Sequence, residues 1–230
     1  MTETTAFASP NSESGGRVTR DLLACGIAAG PLYIVVGLIE ALTRPGFDPT
    51  RDDLSLLSNG DFGWVHIGLF VTTGLLTVAG AVGMRRALAG ERAGTWGPLL
   101  LGLYGVGLIG AGIFIADPAR GFPPGTPADA HAVSWHGLMH LVSGAIGFIG
   151  LIAACMVFAR RFAALGRRRL AVYSVVTGVL FAAAFVGIAS GSQQGGAVVI
   201  IVTLAFTAAV VIGWTWVSVV SALVMRSGSR

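Results

Sequence analysis

Six apolar stretches dominate this chain of 230 residues, at about 21–43, 64–84, 97–116, 134–158, 170–190 and 197–224. Each approaches the roughly 20 residues that a helix needs to cross a hydrocarbon core about 30 Å thick. A segment in lipid has no water to satisfy its amide and carbonyl groups, so it must bond them internally as a helix. The reading is an all-α polytopic membrane bundle of six transmembrane helices, occupying residues 21–225. With 54% hydrophobic and only 11% charged residues and a mean hydropathy of +0.78, the chain falls far from a soluble domain, in which charged residues make up about a quarter. Residues 1–20 are polar and lack an apolar face, which predicts a disordered tail; residues 226–230 form a second short tail. The first apolar run is too long for a signal-peptide core and has no small-residue cleavage site at its far end, so it is expected to stay as a span.

All 15 basic residues are Arg, and Lys is absent. That excludes a retinal or pyridoxal Schiff base, a catalytic lysine and a Walker phosphate loop. The Arg residues cluster at the ends of apolar runs, which argues for membrane orientation rather than for nucleic acid. Counted by loop, 12 fall on one side (Arg17, Arg20, Arg85, Arg86, Arg92, Arg160, Arg161, Arg167, Arg168, Arg169, Arg226, Arg230) and 3 on the other (Arg44, Arg51, Arg120). The positive-inside rule then places both termini in the cytoplasm and the Asp-rich loops 44–63 and 117–133 outside. Cys25 and Cys155 both lie in apolar runs and are expected to be packing residues. Gly26 with Gly30, and Gly187 with Gly191, have the spacing that lets helix backbones approach.

The outer side carries all the histidines and most of the acids: Glu40, Asp48, Asp52, Asp53, Asp61, His66, Asp117, Asp129, His131, His136 and His140. The segment from Asp48-Pro49-Thr50-Arg51 to Trp64-Val65-His66 is echoed by Asp117-Pro118-Ala119-Arg120 and Trp135-His136. A parallel tandem repeat of the first two hairpins would produce this echo, and so would two Asp-capped surface helices.

His136 and His140 stand four residues apart, so on a helix they share a face and could converge on an ion. Zinc in a catalytic site takes three protein ligands and leaves one position for water, and Asp117 at the end of the preceding span is the first choice for the third. Asp48 or Asp52 would then take the proton from zinc-bound water. The alternative is that both histidines make ordinary hydrogen bonds. Haem held between His66 and His136 or His140 is a more distant reading. Glu40 sits one turn from the end of the first span, and its i+4 neighbour Arg44 offers a structural ion pair. Glu40, Arg44, Arg51, Ser55, His66 and Arg120 are expected to line a polar pocket. The Pro- and Gly-rich loop 120–127 would cover that pocket or merely connect two spans. Spans five and six hold no Asp, Glu, His or Arg between Leu170 and Met225 and are expected to be scaffold.

Arg44-Pro45-Gly46-Phe47-Asp48-Pro49-Thr50-Arg51 with Ser55, Gly63-Trp64, Asp117-Pro118, Gly121-Phe122-Pro123-Pro124-Gly125-Thr126-Pro127 and Trp135-His136-Gly137-Leu138-Met139-His140 together resemble the bacterial six-span membrane proteins catalogued as domain of unknown function 998. The resemblance runs from residue 21 to about 224 and implies a multipass membrane protein with no assigned activity. His66 stands where such proteins would be expected to carry Gln, which argues against an essential ligand role. A looser likeness, in residue types only, is to membrane hydrolases of the alkaline ceramidase kind, which use Ser, Asp and His around zinc. Two function classes follow. One is a metal-assisted hydrolase of lipid or envelope substrates. The other is a non-catalytic binding, sensing or transport protein, or an accessory subunit of an envelope complex, with a lipid or small molecule at the outer face.

Overall fold

The structure is a computed structural model that describes residues 10–130, 132–191, 194 and 196–227, with side chains from residue 15 onward. Six helices follow one another: α1 Pro10–Thr43, α2 Gly63–Ala87, α3 Trp96–Ile113, α4 Trp135–Ala164, α5 Arg168–Gly191 and α6 Ala197–Ser227. All six are long and apolar enough to cross a membrane, and no named strand occurs among the described residues. A short 3-10 helix, Leu54–Ser58, lies between α1 and α2.

Residues 10–20, expected to belong to a disordered tail, are the first turns of α1. The hydropathy signal stops where lipid stops, but the helix runs on. Arg86 at the end of α2 donates from Nε to Thr19 Oγ1 at 3.1 Å, tying this extension to its neighbour. The remaining tail positions 1–9 and 228–230, and His131, lie outside the described residues, as do Ser192, Gln193 and Gly195 of the α5–α6 turn.

Each helix packs on its neighbours in chain order, and α6 returns to α1, so the six form a closed ring. Without a hydrophobic force between helices in lipid, such packing relies on small residues that bring backbones together. A Cβ added at Gly80 of α2 would lie 2.7 Å from the Gly26 Cα of α1, and one at Gly74 would lie 2.7 Å from the Gly105 carbonyl of α3. Gly107 and Gly147 join α3 to α4 in the same way. Gly30 faces the Trp214 carbonyl across the α1–α6 seam, and Gly178 faces Cys155 and Met156 across α4–α5. Gly26 and Gly30 thus serve two different seams of the ring. Cys155 is fully buried in this core.

The exterior is apolar, with Leu42, Ile149, Val186 and Ile201 all exposed, while Glu40, His66, Thr73, Thr77 and His140 are buried. Such an inverted arrangement suits a lipid surround. An even number of helices puts the start of α1 and the end of α6 on one side of the bundle. At that Arg-rich end, Arg161 of α4 donates to the Arg92 carbonyl at 2.7 Å and to Glu91 at 2.8 Å, fastening the α2–α3 loop. The opposite, capped end carries the loops α1–α2 and α3–α4.

Candidate functional site

The cap is built from both loops. Ala41, Phe47, Leu56, Leu57 and Phe122 form their own apolar cluster, with Phe47 edge-on to Phe122 at 5.4 Å. Arg44 serves as its internal strut. It donates to the carbonyls of Leu57, at 3.2 Å, and Asn59, and pairs with Glu40 at 3.3 Å. Asn59 reaches across to the Ala116 carbonyl at 3.0 Å and so joins the first loop to the end of α3. Loop 120–127 is therefore a packed part of the cap.

Arg120 adopts φ +52°, in the left-handed region, which costs a non-glycine residue about 1 kcal/mol. The conformation brings its guanidinium to Asp53 at 2.8 Å and to Asp52 at 3.7 Å. Burial, acting above all else, pushes the Asp52 carboxyl up from the ordinary Asp range. Asp52 also accepts the Asp48 amide at 2.8 Å. Asp48 itself is exposed, and the Thr50 hydroxyl and amide bond its carboxylate at 2.6 and 2.9 Å, holding its pKa down. A carboxylate with a depressed pKa, locked in its own turn, is a poor base. Arg51 is exposed. The sequence echo is thus built from unlike parts: Asp48 closes a local turn while Asp117 holds Ser134, the N-cap residue of α4, and Arg51 is exposed while Arg120 is half-buried. A tandem repeat is not established by this geometry.

The expected zinc triad of His136, His140 and Asp117 is not supported by the geometry of the described residues. Asp117 accepts from the Ser134 hydroxyl at 2.6 Å and amide at 2.8 Å, while Ser134 caps α4 by accepting from Gly137 N at 3.0 Å. This capping arrangement consumes the carboxylate's inward lone pairs. His140 turns Nδ1 toward the carbonyls of Phe114, at 2.8 Å, and Ala111, at 3.0 Å. His136 is exposed and lies against Trp135, with ring centroids 3.7 Å apart. Among the described residues no group of three His, Cys, Asp or Glu side chains is placed to hold a metal ion. The Phe70 ring packs edge-on against both His66, 4.6 Å away, and His140, 6.0 Å away.

A contact absent from the sequence reading ties α1 to α2. His66 is fully buried and its Nδ1 lies 2.8 Å from Glu40 Oε2. A carboxylate accepts, so Nδ1 carries the hydrogen, and His66 Nε2 is left buried with no hydrogen-bond partner among the described residues. The Glu40 carboxylate is thereby shared between Arg44 and His66.

Inside the ring, beneath the cap, is a cavity of about 200 Å³. Every helix contributes: Tyr33 from α1, Phe70 from α2, Tyr104 and Gly107 from α3, His140 and Phe148 from α4, Phe185 from α5, and Phe206 and Trp214 from α6. Asp53 and Ser55 of the first loop line it at the capped end. Spans five and six, expected to be scaffold alone, thus form part of its wall. Trp214 is fully buried, stacked on Tyr33 at 4.9 Å, and its indole N–H has no acceptor among the described residues. Two residues on, by contrast, Trp216 donates to Ser174 Oγ at 3.0 Å.

Of the residues singled out from sequence, Ser55 and His140 reach the cavity, with Asp53 beside them; Glu40, Arg44, Asp52 and Arg120 support the cap around it; and Asp48, Arg51 and His136 face away. No curated protein and no solved structure matches the chain. The family described as Protein of unknown function (DUF998) matches residues 27–223, and with most of its length so covered the chain belongs to that family.

Proposed function

We propose that this multipass membrane protein binds a small amphipathic molecule in the cavity beneath its cap, and that it does so without metal chemistry. The reading is carried by the cavity itself: about 200 Å³, walled mainly by aromatic and aliphatic side chains from all six helices, with Asp53, Ser55 and His140 toward its capped end and the Trp214 indole among its walls. An apolar cavity of about 150 Å³ stays dry and takes up benzene, whereas drug-sized sites begin near 300 Å³. The occupant is therefore one ring or a length of single hydrocarbon chain. Metal-assisted hydrolysis is the weaker reading, because Asp117 is taken up by Ser134 and no group of three His, Cys, Asp or Glu side chains among the described residues is placed to hold a metal ion.

The capped end is assigned to the outside and both termini to the cytoplasm. The 12-to-3 division of Arg supports this orientation. The location follows as the cell membrane of a bacterium.

Thermal unfolding of the purified protein with added 1-dodecanol tests the binding reading. A ligand at 100 times its dissociation constant stabilises by about 2.7 kcal/mol. A clear rise in midpoint is expected for the wild type and its loss in Val210→Phe, which fills the cavity. Equal responses of the two proteins would refute binding in the cavity.

A further inference from the structure

Glycines draw most seams of the ring together, and the α4–α5 seam changes character along its length. Glycine-to-backbone contacts seal α1–α2, α2–α3, α3–α4 and α6–α1, and Gly191 and Gly213 meet Val202 and Phe181 where α5 and α6 face each other. Between α4 and α5 the close contact, Gly178 against Cys155 and Met156, lies toward the Arg-rich end. Toward the capped end Phe148 and Phe185 still meet edge-on at 5.2 Å, and beyond them the seam is bordered by Leu141 and by small residues. A Cβ built on Gly144 would meet only the Phe148 ring of its own helix, at 4.0 Å, and no atom of α5 among the described residues. The residues that border this gap, Leu141, Gly144 and Ala145 on α4 with Phe185 and Ala189 on α5, all line the cavity. Leu141 is nevertheless 61% exposed and Ala189 is exposed. The same side chains thus touch both the cavity and the lipid-facing surface.

The polar end of the cavity has a defined hydrogen-bonding sense. Two carbonyl oxygens near His140 Nδ1 can only accept, so that nitrogen carries the proton and Nε2 presents a lone pair. Asp53 gives one oxygen to Arg120 and leaves Oδ1 buried with no partner among the described residues. Ser55 adds a hydroxyl that donates or accepts. Two obligate acceptors, one of them carboxylate, select a head group that donates hydrogen bonds and disfavour an anionic one.

Resting on the reading of the cavity as a ligand site, we infer that its occupant is a single-chain lipid with a hydroxyl or ammonium head, and that it passes sideways from the bilayer through the gap between α4 and α5. The cavity lining runs from Ala111 to Tyr104 on α3, about 10 Å at 1.5 Å per residue, so it takes a length of chain and excludes a two-chain lipid as a whole. The head meets Asp53, Ser55 and His140 under the cap while the chain points toward Trp214.

Stopped-flow quenching of tryptophan fluorescence by a bromine-labelled dodecanol, delivered in vesicles to the protein in nanodiscs, separates route from affinity. In wild type, quenching is expected that Trp214→Phe largely removes. Gly144→Phe, whose ring occupies the gap, should slow both loading and release tenfold or more, and Ile149→Phe, on the lipid-facing side of α4 and outside the cavity lining, should leave both unchanged as a control. The methyl ether of the same chain, which has no donor, should bind at least tenfold more weakly. Loading of Gly144→Phe at the wild-type rate overturns the lateral route, and equal affinity for alcohol and ether overturns the head-group assignment. No quenching by the alcohol in wild type would instead remove the cavity reading on which both depend.

Discussion

Replacing His66 by Leu and by Gln separates its hydrogen bond from its chemistry. Glu40 Oε2 is held by His66 Nδ1 at 2.8 Å, its partner oxygen by Arg44 at 3.3 Å, and the carboxylate side chain is 7% exposed. Leu at position 66 would leave Oε2 buried without that donor. Removing a hydrogen bond to a charged group costs about 1.5–3 kcal/mol, and removing one partner of a fully buried pair about 3–5 kcal/mol. Because Arg44 remains, about 2–3 kcal/mol is the expected loss for His66→Leu. Gln offers an amide N–H of similar reach, so His66→Gln should cost no more than about 1 kcal/mol. The two variants remove the same imidazole and the same aromatic contacts with Tyr33 and Phe70, which lie 6.1 and 4.6 Å away. Their difference therefore reports the bond to Glu40. Equilibrium unfolding in mixed micelles measures it. If Leu and Gln destabilise equally, the buried pair contributes nothing specific and this description of the α1–α2 seam is wrong.

Gly107→Ala should destabilise by about 1–3 kcal/mol, since its Cβ would lie 2.7 Å from the Gly147 Cα and the Ser143 carbonyl, while Gly144→Ala should be neutral in the same unfolding assay. Asp117→Ala removes both acceptors of Ser134 and should fray the start of α4, read as faster hydrogen exchange at Trp135 to Leu138. Added zinc should not restore protection to Asp117→Ala or change it in wild type. The cap should respond to pH through Asp52: a carboxyl raised by burial contributes stability while protonated and loses it as pH rises through its raised folded-state pKa. Asp52→Asn should abolish that fall, seen as hydrogen exchange in loop 44–62 that no longer quickens as pH rises from about 4 upward, after correction for the intrinsic rate.

The six spans were legible because hydropathy over 20 residues is a strong signal, but their ends were not. α4 continues through Arg160 and Arg161 to Ala164, and α1 starts at Pro10, because a helix persists past the lipid boundary that hydropathy detects. α3 stops early, at Ile113, ahead of Asp117-Pro118, where the residue preceding a proline disfavours helix. The i, i+4 spacing of His136 and His140 correctly placed them on one helix face. It carried no information about α3, whose last carbonyls meet His140 while only the Phe114 ring, 6.1 Å away, lies against the exposed His136. Glu40 with Arg44 was legible as a local pair, whereas Glu40 with His66 depends on how two helices rotate against each other. The cavity was hidden for a further reason. Its walls are Tyr33, Phe70, Tyr104 and Trp214, which in sequence are indistinguishable from packing aromatics, and only the unpartnered N–H of Trp214 sets one of them apart.

Photolabelling with a long-chain alcohol that carries a diazirine on its chain, followed by peptide mapping, tests cavity binding most directly. Labels are expected on cavity-wall positions such as Leu108, Ala111, Phe206 and Val210, and they should disappear under competition with excess dodecanol and in Val210→Phe. Labels confined to the lipid-facing positions Leu42, Ile149 and Ile201, and insensitive to competition, would contradict it.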